Sequence, residues 1–149
     1  MRYFDTSFLA PLILPEAASD PVADFMETLS REDLAVSHWT RVEFSSLLAR
    51  EVRMGRLGED SARAADTRFE TMVDRSFAIL LPDRADFDLA KAYLGRFETG
   101  LRAGDALHLA IAANRRAETL YSLDRKLIEA GRHLGVPASA GISLSTASP

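Results

Sequence analysis

Short apolar runs of strand length alternate along this chain with longer segments whose apolar residues recur at helical spacing. The runs predicted as strands are residues 3–4, 34–36, 77–81 and 120–123, and an edge strand is expected to begin at Val136. The helical segments are residues 8–14, 21–29, 38–54, 59–75, 87–97, 106–113 and 127–130. This alternation is typical of an α/β fold in which helices cover both faces of a mostly parallel sheet.

The apolar positions also predict which residues face the core. The third helical segment should turn four apolar residues inward: Val42, Leu47, Leu48 and Val52. The segment after residue 86 should do the same with Phe87, Ala90, Leu94 and Phe97. The continuous apolar run 77–81 predicts a strand buried on both faces. Residues 106–113 are apolar nearly all round, which predicts a covered, central helix.

Length and composition fit a single domain. The chain has 149 residues, and we expect residues 1–142 to form one folded unit and the Ser-, Thr- and Ala-rich residues 143–149 to fray. There are no cysteines, which excludes disulfides, thiolate catalysis and cysteine-based metal sites. The net charge of -4 offers no global basic field for nucleic acid, although 16 of the 18 basic residues are Arg, which suits phosphate.

No segment reads as a membrane span or a secretion signal. The apolar residues 8–14 are too few to cross a bilayer and are interrupted by Pro11. They follow Asp5 rather than a basic stretch, which fits a signal peptide poorly. The expected location is therefore the cytoplasm.

Four acidic residues lie at or near the starts of helical segments that leave the strand-like runs: Asp5, Glu43, Asp105 and Asp124. In a parallel sheet with helical crossovers, the carboxyl ends of the strands share one edge, where ligands bind. These acids are therefore expected to meet there. Carboxylate oxygens are the ligands that hard divalent cations prefer, so the pattern predicts a metal site for Mg²⁺ or Mn²⁺.

Each acid also has a purely structural interpretation as a helix cap. Thr40 and Glu43 have the spacing of a capping box, and Asp5, Asp105 and Asp124 are each suited to the N-cap position. Taken singly, each acid favours the cap over catalysis. Their shared position at one sheet edge shifts the balance, and one residue can both cap a helix and ligate a metal.

Convergence of four carboxylates would be costly without a cation. Two carboxylates about 4 Å apart repel by roughly 1 kcal/mol in water and about 4 kcal/mol at an effective dielectric of 20. Such a site raises a pKa or binds a divalent ion. Because bound cations stabilise the charge that develops at a phosphoryl centre, phosphodiester hydrolysis is the chemistry that this pattern favours.

Several polar neighbours have two interpretations. Thr6, Ser7 and Ser122 are candidates to orient the carboxylates, although turn and cap hydroxyls are equally typical. His108 is interpreted as a packed, hydrogen-bonded residue with no catalytic role. The arginines between residues 50 and 68 have the pattern of a solvated helical face, with phosphate contact as the alternative. The acids near residue 86 are expected to be solvated or to cap the next helix.

At these residues the chain resembles the PIN-domain ribonucleases, and among them the VapC toxins of bacterial toxin–antitoxin pairs. The matching segments are residues 3–7 (Tyr-Phe-Asp-Thr-Ser), Val42 with Glu43, residues 104–110 (Gly-Asp-Ala-Leu-His-Leu-Ala) preceded by Arg102, and residues 122–124 (Ser-Leu-Asp). They follow the family order and spacing over nearly the whole chain. Ser122 stands where many relatives carry Thr, and the hydroxyl is retained.

The resemblance implies a three-layer α/β/α sandwich and a Mg²⁺- or Mn²⁺-dependent endoribonuclease. It implies a metal site built by Asp5, Glu43, Asp105 and Asp124. It also implies a homodimer and inhibition by a small cognate antitoxin that fills the RNA groove. The RNA target, and whether the chain is a toxin or a housekeeping nuclease, stay open at this point.

Two other classes of protein share parts of this pattern. A non-cleaving module that binds RNA or a partner could use the same site, but such a module has no need of all four carboxylates. A receiver-type signalling domain is also α/β with an acidic pocket. It requires an adjacent acidic pair after the first strand and a late lysine, whereas Asp5 is followed by Thr6 and the only lysines are Lys91 and Lys126.

Overall fold

The computed structural model describes residues 1–144. Within them, five parallel strands form one sheet in the order β3-β2-β1-β4-β5. The strands are β1 (Arg2–Phe4), β2 (Leu34–Ser37), β3 (Ala78–Leu80), β4 (Thr119–Tyr121) and β5 (Ala138–Ser139). The helices are α1 (Thr6–Leu9), α2 (Ser19–Glu27), α3 (His38–Arg53), α4 (Glu59–Ser76), α5 (Arg84–Leu94), α6 (Ala103–Asn114) and α7 (Arg125–His133).

The helices form two layers, one on each face of the sheet. Alternate residues of β1 face opposite layers, so Tyr3 packs with the cluster of α5, α6 and α7, and Phe4 packs with the cluster of α1 to α4. Phe44 of α3 stacks on Phe69 of α4 with ring centroids 4.0 Å apart. The expected three-layer α/β/α sandwich with a parallel sheet is confirmed.

The strand order reverses direction at β1. From β1 the chain moves outward through β2 to β3 on one side, and then returns to place β4 and β5 on the other. A crevice opens at such a switch point beyond the carboxyl ends of the strands. Asp5 follows β1 and Ser122 follows β4, so both lie at this crevice.

Several local expectations were wrong. The segment 8–14 forms only the last turn of α1 and a 3₁₀ turn, Ala10–Leu12, because Pro11 interrupts the helical hydrogen bonding. Pro21 is the third residue of α2, where its missing N–H is still harmless. Helix α7 continues through the buried Gly131 to His133, with Leu134 as its C-cap and the left-handed Gly135 next to it.

Some expected core residues lie at the surface. β3 is an edge strand with partly exposed side chains rather than a strand buried on both faces. Val42, Phe87 and Phe97 are exposed by 56%, 53% and 88%, and α3 instead buries Thr40, Phe44 and Leu48. Helix α6 is covered as predicted, with residues 106–112 all buried. No helix among residues 1–144 is both long enough and apolar enough to cross a membrane.

The first two residues of the predicted tail are described by the structure. Ser143 and Leu144 have no regular secondary structure. Residues 145–149, the rest of the segment expected to fray, lie outside the described residues.

Candidate metal centre

Asp5 is held at the end of β1 by hydrogen bonds to both carboxylate oxygens. Its Oδ1 accepts from the Phe8 amide at 3.0 Å and from Ser7 Oγ at 2.8 Å. Its Oδ2 accepts from Ser122 Oγ at 2.6 Å. Burial raises the pKa of Asp5, against the charge of His108 and the hydrogen bonds from Ser122 and Ser7. Asp5 therefore caps α1, as its structural interpretation predicted, and also faces the crevice.

Glu43 lies in the second turn of α3 and does not cap that helix. Ser37 is the N-cap and forms a capping box with Thr40, so the predicted box of Thr40 with Glu43 was wrong. The Glu43 carboxylate instead accepts from Thr6 Oγ1 at 2.8 Å and from His108 Nε2. Burial alone would raise the pKa of Glu43, but the hydrogen bond and charge of His108 and the bond from Thr6 lower it overall.

A buried hydrogen-bonded chain runs from Glu43 into the core. His108 is 1% exposed, and its Nδ1 lies 2.8 Å from the hydroxyl of Tyr3, which lies 2.8 Å from Ser37 Oγ. Burial alone would lower the pKa of His108, but the hydrogen bond and charge of Glu43, with the charges of Asp5 and Asp105, raise it overall. A protonated His108 donates Nε2–H to Glu43 and Nδ1–H to Tyr3.

The sequence interpretation of His108 was therefore incomplete. It is packed and hydrogen-bonded as expected, but its partner is one of the four candidate ligands. Its spacing of three residues from Asp105 places both on one face of α6, and Tyr3 shares a strand face with Asp5. Those periodicities are the signals that could have linked these residues to the site.

Asp105 and Asp124 are less constrained. Asp105 lies in the first turn of α6, whose N-cap is Arg102, so the predicted capping role of Asp105 was wrong. Asp124 caps α7 and accepts from the Lys126 amide at 2.9 Å. Burial, then the charges of Asp124 and Glu43, raise the pKa of Asp105 to about 6. These acids are therefore close enough to repel one another.

The four predicted acids line one cavity of about 350 Å³ at the carboxyl edge of the sheet: Asp5, Glu43, Asp105 and Asp124. Only two of the four lie in the connection from a strand to the next helix, Asp5 after β1 and Asp124 after β4, because Glu43 lies within α3 and α6 follows α5 rather than a strand. The predicted orienting hydroxyls contact the carboxylates as expected, since Thr6 bonds Glu43 and both Ser7 and Ser122 bond Asp5.

Carboxylate oxygens suit a hard divalent cation, although the four side chains do not converge on a single point in this structure. Among residues 1–144, no group of three or more His, Asp and Glu side chains lies close enough together to hold an ion. Four carboxylates nevertheless line one cavity, and burial with the charges of Asp124 and Glu43 raises the pKa of Asp105, which is the repulsion that a cation with oxygen ligands would neutralise. Asp105 and Asp124 are half-buried at the cavity wall, so movement of these two side chains is what binding would require.

Two arginines accompany the carboxylates. Arg50 and Arg53 line the same cavity from α3. Arg50 also forms a long ion pair with Glu51, with Nε and Oε1 3.8 Å apart. The other three arginines of that stretch line neither wall of this cavity: Arg56 pairs with Glu51, Arg63 with Glu59, and Arg68 donates to the carbonyl of Ile13. The phosphate-contact interpretation is thus confined to two of the five.

The fold has relatives of known structure. The structure of FitAcB from Neisseria gonorrhoeae aligns with a TM-score of 0.75 and 20% identity, covering 95% of this chain and 98% of that one. VapC20 of Mycobacterium tuberculosis, described as a sarcin–ricin loop cleaving toxin, aligns at 0.72 and 21%, covering 88% and 95%. VapBC2 from Rickettsia felis, bound to a DNA fragment from its promoter, aligns at 0.70 and 13%, covering 93% and 98%.

A family model gives the assignment directly. A search of the curated proteins found no match. The PIN-domain model matches residues 2–133, which include all four candidate ligands and every strand of the sheet except β5. The structural alignments, at identities below 25%, agree with that match at the level of the fold. This chain belongs to the PIN-domain family.

Proposed function

We propose that this protein is a Mg²⁺- or Mn²⁺-dependent endoribonuclease that acts as the toxin of a toxin–antitoxin pair. One observation carries the proposal: a chain of the PIN-domain family gathers four carboxylates at one cavity beyond the carboxyl ends of its strands. The proposed metal ligands are Asp5, Glu43, Asp105 and Asp124.

The residues around the cavity have different proposed roles. Ser7 and Ser122 fix the orientation of Asp5, and Thr6 with His108 fixes Glu43. A divalent cation, when bound, supplies Lewis acidity toward the phosphate and activates water for attack. Asp105 and Asp124 supply the adjustable half of the ligand set. Arg50 and Arg53 are placed to attract the phosphate backbone toward an otherwise acidic crevice.

The choice of RNA and of a toxin role is supported by the relatives. One structural neighbour is described as a toxin that cleaves the sarcin–ricin loop, and another is a VapBC assembly on promoter DNA. By analogy, the partners of this chain are an RNA substrate, a cognate antitoxin and a second copy of itself in a cytoplasmic homodimer. A solution mass of about twice 16.4 kDa in light scattering would support the homodimer.

The catalytic claim is tested with purified protein and single-stranded RNA. Cleavage should require Mg²⁺ or Mn²⁺, stop in EDTA, and leave 5′-phosphate and 3′-hydroxyl ends. Asp105→Asn should abolish it, whereas Asp88→Asn, at an exposed position on α5, should not. Cleavage that persists in EDTA, or 2′,3′-cyclic phosphate products, would rule out the metal mechanism. Metal-dependent RNA binding without cleavage would point to a non-cleaving module.

The toxin role is tested in a bacterial host. Expression of the wild-type chain should arrest growth, and Asp105→Asn at the same protein level should not. Co-expression of the small protein encoded next to it should relieve the arrest. Normal growth at high levels of metal-active protein would indicate a housekeeping nuclease instead.

A further inference from the structure

A second, larger cavity adjoins the carboxylates. It has a volume of about 590 Å³ and shares Glu43, Asp105 and Asp124 with the acidic crevice. Its other wall carries an aromatic ring from α3, a cation that precedes α6 and a cation from α7: Trp39, Arg102 and Lys126. Its size lies within the roughly 300–1,000 Å³ typical of small-molecule sites. The RNA-cleaving chemistry proposed above does not itself require this cavity.

Trp39 has an unused hydrogen-bond donor. The ring is half-buried in the cavity wall, and its Nε1 finds no partner among residues 1–144. A buried indole normally satisfies its N–H. The ring packs against Gly104, where an added Cβ would lie 3.4 Å from the indole carbon Cζ2 and 2.9 Å from Glu43 Oε2. Both the indole and a candidate metal ligand therefore lie against Gly104.

The two cations are also free. The exposed side chains of Arg102 and Lys126 form no ion pair or hydrogen bond with any residue that the structure describes, although acidic residues line the same cavity. Unpaired cations beside an aromatic ring are the combination that binds single-stranded nucleic acid, through phosphate contacts and base stacking.

We propose that this cavity holds the nucleotide next to the scissile phosphate, with its base against Trp39 and its phosphate at Arg102 and Lys126. The inference rests on the proposed ribonuclease function and assigns the residues that would hold the base and the phosphate beside the reacting centre. A base can stack on a ring in the wall of a cavity only when it has left its own helix, as in a loop or a single strand. Arg50 and Arg53, in the neighbouring acidic cavity, would carry the strand away from the carboxylates.

The chain offers its own reporter for this site, because Trp39 is its single tryptophan. In the Asp105→Asn background with Mg²⁺, a short single-stranded RNA should quench Trp39 fluorescence in a saturable manner. The same sequence annealed into a blunt duplex should quench it far less. Arg102→Gln and Lys126→Gln should each weaken the binding, whereas Arg31→Gln, an exposed arginine before β2 at the opposite sheet edge, should leave it unchanged.

Substitution of the ring separates stacking from folding. Binding of a labelled RNA, followed by anisotropy, should weaken in Trp39→Leu by roughly 5- to 150-fold, the range of base–aromatic stacking. Trp39→Phe should restore most of the affinity because it keeps an aromatic face. If Trp39→Leu fails to fold, the two cation variants and the fluorescence titration still decide the question.

The outcomes distinguish this inference from the proposed function. Saturable quenching without cleavage by the wild-type protein would uphold the nucleotide site and overturn the ribonuclease. Cleavage by the wild-type protein without quenching, and with unchanged binding in both Arg102→Gln and Lys126→Gln, would overturn the nucleotide site alone. Equal quenching by duplex and single strand would also overturn it.

Discussion

At the scale of single residues, the four acids form two pairs that differ in how firmly they are held. Asp5 and Glu43 accept hydrogen bonds from side chains on other elements, which fix their carboxylates. Asp105 accepts no hydrogen bond from any residue that the structure describes, and Asp124 accepts only from the first turn of its own helix. Two of the four carboxylates, Asp5 and Glu43, are therefore held in place, and the other two can change position. One of the movable acids, Asp105, is the group whose pKa is raised by burial and by its neighbours' charges.

The raised pKa of Asp105 gives a dependence of stability on pH. Its folded value of about 6 exceeds the ordinary 3.8, so the folded protein binds this proton more readily than the unfolded chain. In EDTA, this group therefore stabilises the fold increasingly as pH falls through 6, and the gain levels off below 3.8. Asp105→Asn has no titrating group at this position, so its stability should not depend on pH in this way.

Urea unfolding of both proteins measures the difference. Asp105→Asn should be at least as stable as the wild type at about pH 7.5, and its advantage should shrink by about 1 kcal/mol at about pH 4.5. That figure is discounted from the full shift because the side chain is half-exposed and screened by water. Parallel stability curves for the two proteins between these values would contradict the repulsion.

Substitution of Gly104 should change the stability of α6 and the cleavage activity in opposite directions. An alanine there should stabilise α6 by roughly 0.5–1 kcal/mol, since glycine is a poor residue within a helix. Its Cβ would lie 2.9 Å from Glu43 Oε2, so that carboxylate must move. We expect Gly104→Ala to melt at an equal or higher temperature while cleavage falls by roughly 10- to 100-fold, the usual effect of disturbing a group that orients a metal ligand.

Gly58→Ala is the matched control, because a Cβ there meets nothing within 4 Å. It should leave cleavage unchanged. Full activity in Gly104→Ala would show that the position of the Glu43 carboxylate is not critical.

At the scale of elements, local periodicity was sufficient for most of the fold. The apolar run of α6 is buried as predicted, and helical spacing also puts Ala62, Ala65, Phe69 and Val73 on one buried stripe of α4. The predicted burial was wrong for the edge strand β3, because a strand's position in the sheet decides how far it is buried. Residues 77–81 have the composition of a central strand, but β3 lies at the sheet edge, and nothing local to those residues encodes that position.

The acidic cluster before α5 also required the structure. Asp83 forms a capping box with Asp86, which fits the expected capping role. Asp86 itself is completely buried, and accepts from Asn114 Nδ2 at 2.8 Å and from Arg115 Nη1 at 3.2 Å. Its expected solvation was therefore wrong, because the end of α6 supplies partners that lie 28 and 29 residues away.

This buried pair should make a large contribution to docking α5 onto α6. Asp86→Ala removes the buried acceptor of Asn114 and Arg115 and should lower the free energy of unfolding by about 1–3 kcal/mol, since the partly exposed Arg115 keeps other partners. Asp88→Ala, which removes an exposed pair with Arg84 on the same helix, should change it by at most about 0.5 kcal/mol. Urea unfolding of both variants provides the comparison, and equal effects would show that the buried pair has no special role.

At the scale of the whole molecule, the sheet topology accounts for the location of the site. Strand order reverses at β1, so the ends of β1 and β4 open a crevice into which α3 and α6 also direct acids. The sequence predicted this convergence because strand ends share an edge. It could not predict the contact of His108 with Glu43, since 65 residues separate them and their helices belong to opposite layers of the sandwich. The cavity at Trp39 was likewise beyond local pattern.

The central claim about this protein is that its four carboxylates bind a divalent cation. Thermal unfolding of the wild type with Mg²⁺ or Mn²⁺ should reveal stabilisation of roughly 2.7 kcal/mol at about a hundred times the dissociation constant. Asp5→Asn and Asp105→Asn should lose most of this shift while folding in EDTA, and Asp88→Asn should keep it. A wild-type melting temperature that ignores both ions at millimolar concentration, or Asn variants that retain the full shift, would contradict the account.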